Sequence, residues 1–172
     1  MDNNIQNSSM LDVAGLLRGE IRELDFDVLL DVEFDVDGIN TTAPSRFKGK
    51  AVNMSGYMEL DADLTVNYET HCARCDALIN KELCIKVVFP IAESLENMDN
   101  DEYIILENEK ICLSELARET FFLNVPMTHL CREDCKGLCM KCGADKNKGD
   151  CGCDLSEKDP RWKALEGFFD ED

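Results

Sequence analysis

Residues 57–75 read YMELDADLTVNYETHCARC, and the first thirteen of them set the fold class. Met58, Leu60, Ala62, Leu64, Val66 and Tyr68 alternate with Glu59, Asp61, Asp63, Thr65, Asn67 and Glu69. Period two with one apolar and one acidic face predicts a strand over Tyr57–Glu69, buried on one side and wet on the other. The strand runs straight into a Cys-x-x-Cys pair, Cys72 and Cys75. Beyond the pair, Leu83, Ile85, Val87, Phe89 and Ile91 share one face of a second strand. The short connection makes the two antiparallel neighbours, with both cysteines at the tip that joins them.

Working outward, Phe26–Val36 alternates in the same way, with Phe26, Val28, Leu30, Val32, Phe34 and Val36 on one face. Arg46–Met54 is a weaker strand, and Ser55-Gly56 a turn. Asp37–Ser45 reads as a loop, and Tyr103–Leu106 as a short strand. Ser9-Met-Leu-Asp12 has the form of a capping box and predicts a short helix to about Arg18. Ser114 is placed to cap a helix from Glu115 to about Leu123, stopped by Val125-Pro126. Residues 1–8 read as disordered, and Glu93–Glu102 as a solvated acidic loop. Asp159-Pro160-Arg161-Trp162 predicts the start of a last helix. The expected architecture is α+β. A mostly antiparallel twisted sheet or partly open barrel carries a few short helices and a C-terminal zinc-knuckle module. Residues 1–126 would form an acidic β-rich domain. Residues 127–172 would form a cysteine-rich metal-binding module with the last helix, packed on the same domain.

That module holds six of the ten cysteines within CREDCKGLCMKCGADKNKGDCGC, Cys131 to Cys153. Cys139 and Cys142 have knuckle spacing, and Gly143 after them allows the positive φ that turns amides toward the sulfurs. A second pair would complete a tetrahedral S₄ site suited to Zn²⁺ or iron. Spacing leaves that pair open between Cys131/Cys135 and Cys151/Cys153. Six cysteines here plus Cys72 and Cys75 would suffice for two S₄ sites. Cys84 and Cys112 are left over and read as core residues. A stretch so rich in Gly, Lys and Asp buries little apolar area, so a structural ion is expected to order it. The histidines, His71 and His129, offer little to a mixed catalytic site.

Net charge is −18. A surface of that sign repels phosphate and lipid headgroups and suits a basic protein partner. The charge is uneven: Cys131–Cys153 has five basic and four acidic residues, a balance of +1, which leaves −19 for the rest. Arg74, Arg132, Lys136 and Lys141 flank the cysteine pairs within reach of a phosphate. No apolar run approaches the length of a membrane span. The polar start MDNNIQNSSM lacks a basic segment followed by an apolar one, so the expected compartment is the cytoplasm, where clustered cysteines bind metal rather than form disulfides. No Walker A loop, Rossmann glycine pattern or GxSxG is present. Cys72 and Cys75 could instead form a thiol redox pair, although no βαβ pattern surrounds them.

Three features together resemble the YceD family, the large-ribosomal-RNA accumulation proteins, in its cysteine-rich bacterial form. They are Cys72-x-Arg74-Cys75 after a long strand, then Cys131-x₃-Cys135-Lys136-Gly137-Leu138-Cys139-x₂-Cys142-Gly143, and then Cys151-x-Cys153 ahead of Asp159-Pro160-Arg161. The likeness runs from about Leu24 to the C-terminus. Met140 stands where the family usually has Pro. The resemblance implies a cytoplasmic, non-catalytic factor supporting synthesis, processing or accumulation of 23S rRNA. Its partners would be a large-subunit ribosomal protein or pre-ribosomal particle, with rRNA contact through the cysteine module. It implies no membrane, small-molecule substrate or catalytic residue. A zinc-stapled adaptor unrelated to ribosomes is the other non-catalytic reading.

Overall fold

The computed structural model describes residues 9–92 and 103–154. The expectations for residues 1–8, Glu93–Glu102 and the helix from Asp159 lie outside the described residues. Two compact units emerge. One comprises residues 9–70, 78–92 and 103–127; the other comprises residues 71–77 and 128–154.

The first unit is mainly sheet. Its strands are β1 (Met10–Asp12), β2 (Glu23–Leu30), β3 (Ile39–Thr41), β4 (Ser45–Met54), β5 (Tyr57–His71), β6 (Leu78–Ala92), β7 (Ile104–Ile105) and β8 (Lys110–Cys112). Two helices, α1 (Ala14–Leu17) and α2 (Leu113–Asn124), lie among the described residues. The main sheet has the order β2-β4-β5-β6-β7, so it is open rather than closed. β4 pairs antiparallel along Tyr57–Thr65 of β5, and β3 takes over from Tyr68 to Thr70. The six residues between β5 and β6 can join adjacent strands only in antiparallel fashion. A tight turn joins β4 to β5, with φ of 57° at Ser55 and 99° at Gly56, the doubly positive pattern that matches strand twist.

The alternation read from β5 is the alternation of burial. Met58, Leu60, Ala62, Leu64, Val66 and Tyr68 are all buried. Phe26, Val28 and Leu30 join them from β2, and Ile85, Val87 and Ile91 from β6. Helix α2 adds Leu113, Leu116, Ala117 and Phe121 to this core, and the Phe121 ring meets Phe34 and Tyr68 at centroid distances of 4.4 and 5.6 Å.

Several expectations are corrected. Met10–Asp12 is a strand paired with Lys110–Cys112, not the start of a helix. Its partner lies far along the chain, where no local pattern reveals it, and Asp12 Oδ1 accepts the Ala14 N–H at the head of α1. Strand β2 stops at Leu30 because β4 ends opposite it at Ser45, although Val32 and Phe34 keep the alternating burial. The predicted loop 37–45 contains β3. Helix α2 begins one residue before Ser114, with Cys112 at the cap position; the Ser114 hydroxyl lies 3.3 Å from Cys112 Sγ and caps nothing. Neither spare cysteine is a core residue. Cys84 lies on the wet face of β6, 3.7 Å from Thr65 Oγ1, and Cys112 is half-buried. Alternation along β6 puts Leu83 and Ile85 on the inner face, which turns Cys84 outward.

Candidate metal centres

Among its described residues, 71–77 and 128–154, the second unit buries little apolar material. Its buried hydrophobic cluster consists of Cys72, Cys75 and Cys135, with Leu130 packed against them. What the chain brings together is sulfur. Cys72, Cys75, Cys131 and Cys135 form one group, and Cys139, Cys142, Cys151 and Cys153 a second; within each, the sulfurs all lie within 4.8 Å of one another. Of the two partners that spacing left open for Cys139/Cys142, Cys151/Cys153 is the one beside them, and Cys131/Cys135 instead joins Cys72/Cys75.

In the first cluster Cys72 Sγ is 3.8 Å from Cys135 Sγ, and Cys75 Sγ is 3.7 Å from Cys131 Sγ. A disulfide would need about 2.05 Å. A tetrahedron of sulfurs about 2.3 Å from a central zinc has edges of about 3.8 Å. The donor set thus fits a tetrahedral, thiophilic ion such as Zn²⁺ or iron, with four protein ligands per site.

Backbone geometry holds the sulfurs in place. The turn 72–77 closes through Cys72 N–H to Ala77 O and Asp76 N–H to Cys72 O, both 2.9 Å. Ala73 N–H reaches His129 O at 2.8 Å, and Leu138 N–H reaches Arg74 O at 3.0 Å. Gly137 has to be glycine: its φ is +72°, and a Cβ there would sit 2.9 Å from Arg74 O. The Arg74 guanidinium donates to Cys135 O at 2.9 Å and to Glu133 O at 3.3 Å. Arg74 is thereby a clamp between the two segments that supply the first cluster. In the second cluster Gly143 has the expected positive φ of +73°, and its N–H bonds Cys139 O at 2.8 Å.

Asn147 is the residue that spacing did not reveal. Its Nδ2 donates to Cys135 Sγ at 3.4 Å and to Asp145 Oδ1 at 2.8 Å. Its Oδ1 accepts the Lys136 N–H at 2.9 Å and an Arg132 guanidinium N–H at 2.6 Å. The loop between the two pairs of the second cluster therefore supports a ligand of the first, as outer residues do around metal sites. The Asp145-x-Asn147 spacing, which favours a side-chain-closed turn, was the available signal.

The sulfurs divide in acidity. Cys72 is drawn down to about 6, chiefly by the backbone amide of Cys131 and against the cost of burial. Cys139 is also drawn down to about 6, by the amides of Cys142 and Lys141. The Asn147 side chain lowers Cys135. Cys131 is pushed up to about 12 by desolvation among the other sulfurs, although its outer side is exposed. Cys153 is pushed up to about 12 by sharing protons with Cys142 and then Cys151. Four crowded thiols cannot all ionise while nothing compensates the charge; a cation would let them. His71 takes no part in either cluster, its Nδ1 lying 3.0 Å from Asp76 O.

An open sheet with a four-cysteine cluster at the tip of its central hairpin, and a second in the cysteine-rich segment, defines a protein whose distinctive chemistry is grouped thiolates. This chain belongs to the YceD family: the family described as "Large ribosomal RNA subunit accumulation protein YceD" matches residues 60–169. Among curated relatives, the Arabidopsis thaliana chloroplastic homolog 1 of that accumulation protein is 42% identical over 59 residues, 34% of this chain and 18% of the relative. An uncharacterized protein of Mycobacterium tuberculosis strain H37Rv is 29% identical over 98 residues, 55% of this chain and 47% of the relative; its Mycobacterium bovis counterpart matches equally. The chain thus spans under a fifth of the plant relative's length and about half of the mycobacterial ones. No solved structure matches. No helix among the described residues is long and apolar enough to cross a membrane.

Proposed function

We propose that the chain is a non-catalytic, cytoplasmic factor that supports accumulation of 23S rRNA during large-subunit assembly, with two structural Zn²⁺ ions held by Cys72/Cys75/Cys131/Cys135 and Cys139/Cys142/Cys151/Cys153. The observation that carries this reading is the family match across residues 60–169, a span containing all eight clustered cysteines. Four thiolates per ion leave no open position for substrate, which favours a structural role over a catalytic one. The charge division supports a protein-facing acidic unit and an RNA-facing or protein-facing cysteine segment. Arg74 and Arg132 are engaged internally, so Lys136 and Lys146 are the better phosphate contacts. Burial of Cys72 and Cys75, 2% and 9% exposed, counts against the thiol-exchange alternative, since an attacking thiolate needs access.

The test is sedimentation. The protein should travel with large-subunit precursors, and cells lacking it should accumulate less mature 23S rRNA. Absence of both effects overturns the reading. Alkylation at neutral pH separates the redox alternative: one cysteine of the Cys72/Cys75 pair reacting far faster than all others in metal-loaded protein would favour it.

A further inference from the structure

Three acids on the wet face of the main sheet already face bases. Asp27 meets Arg46, Glu23 meets Lys50, and Asp61 meets Lys86. Unpaired carboxylates lie elsewhere in the same unit. A groove of about 550 Å³ is bordered by β7, β8 and α2. Ile111 and Leu116 form its floor. Glu107, Glu115 and Glu119 line it against a single base, Lys110, and none of the three makes an ion pair among the described residues.

Two further features mark the groove as a surface that something covers. Phe122 and Leu123 on its wall are 66% and 78% exposed, unusual for adjacent large apolar side chains on a helix. Phe122 also borders a second hollow of about 250 Å³, whose wall includes Phe34, Val36 and Phe121. That hollow adds Asp35 and Arg118, a cancelling pair of charges, so the acidic balance stands. Thr120, 2% exposed, lines the first groove with its hydroxyl unpartnered.

We propose that this groove is a docking site for a basic amphipathic segment of a partner protein. Its apolar side chains fill the floor and pack around Phe122, and flanking Lys and Arg meet Glu107, Glu115 and Glu119. Helix-in-groove recognition with an aromatic anchor and a charged rim is the physical template. RNA is disfavoured, because three free carboxylates would face its phosphates. The inference rests on the reading of the chain as a factor with a basic protein partner, and it names the surface involved.

The probe is a synthetic peptide of about fifteen residues, Leu on one helical face and Lys elsewhere. It is titrated against the full chain by fluorescence anisotropy at about 150 mM salt, where long-range attraction is screened. Saturable one-to-one binding is expected. Phe122→Ser with Leu123→Ser should weaken it about tenfold or more, as should Glu115→Lys with Glu119→Lys. All four side chains are exposed, so the fold should persist, as checked by thermal melting. Binding unchanged by Phe122→Ser/Leu123→Ser means charge attraction alone and overturns the proposal. So does absence of binding, an RNA oligonucleotide displacing the peptide, or a dimer that the same variant converts to monomer. Sedimentation keeps the two readings apart. If the unaltered chain travels with large-subunit precursors and the Phe122/Leu123 variant does so equally, the docking site fails and the function stands. If the unaltered chain does not travel with them, the function fails whatever the peptide does.

Discussion

The two units are held by different materials. Among its described residues the sheet unit has one core cluster of 24 buried apolar residues, from Val13 to Phe121. The described residues of the cysteine unit bury a cluster of three cysteines, with Leu130 packed against it. Burial at about 25 cal/mol per Å² can offset chain entropy in the first unit but has little area to act on among the described residues of the second. Order in residues 71–77 and 128–154 rests on hydrogen bonds and on whatever the sulfurs hold. One chain thus uses two kinds of cohesion, and each can be attacked separately.

The largest effect expected is from chelation. Structural zinc sites in small domains contribute about 10–16 kcal/mol. Stripping the metal should remove hydrogen-exchange protection from residues 128–154 and leave the amides of β4 and β5 protected. If both units lose protection together, or neither does, the comparison is broken. Single changes sharpen it: Cys75→Ser and Cys142→Ser should each reduce bound metal from two ions to one, read by elemental analysis against protein concentration.

The converse attack is on the apolar core. Phe47 is fully buried and packs edge-on against Phe26 at 5.7 Å. Phe47→Ala should cost about 3–5 kcal/mol in urea unfolding of the sheet unit, with the metal content of the folded protein unchanged. Asn147→Ala should be milder. Removing an outer support of Cys135 should weaken metal binding at the first cluster about 10- to 100-fold, measured by competition with a chromophoric chelator, with little effect on β5 protection.

The smallest effect expected is at a surface pair. Arg46 Nε donates to Asp27 Oδ1 at 2.8 Å, and that hydrogen bond, more than Coulomb attraction, holds the Asp27 carboxyl below its usual 3.8. A carboxyl with a depressed folded pKa stabilises the fold above the unfolded value and loses that contribution as pH falls through the folded one. The unfolding midpoints of Arg46→Gln and the unaltered chain should therefore differ slightly at neutral pH and converge below pH 3.8. Metal loading should not register the change.

The sheet was legible where one chain segment carries its own signal. The period-two runs in β2, β5 and β6 revealed both the strands and their buried faces, and β4 was legible as a strand without its face. The three-residue strands β1, β3 and β8 were not legible, because each exists only through a partner elsewhere in the chain. Ser9 and Ser114 had the right residue types for caps, but backbone pairing claimed one, and the helix began a residue early at the other. The eight clustered cysteines could be listed from spacing, yet their division could not. That division depends on where the β5–β6 tip falls, a tertiary fact. Asn147 and the second duty of Arg74 escaped for the same reason.

The two sulfur groups differ in how far apart their members lie in the chain. Cys139 to Cys153 span 15 residues, whereas Cys72 and Cys135 are separated by 63. Closing the short loop costs little chain entropy and needs no neighbour; closing the long one waits for the hairpin between β5 and β6. During synthesis, then, the later-made cysteines can come together first, and the earlier-made Cys72 and Cys75 wait for their partners until translation has passed residue 135.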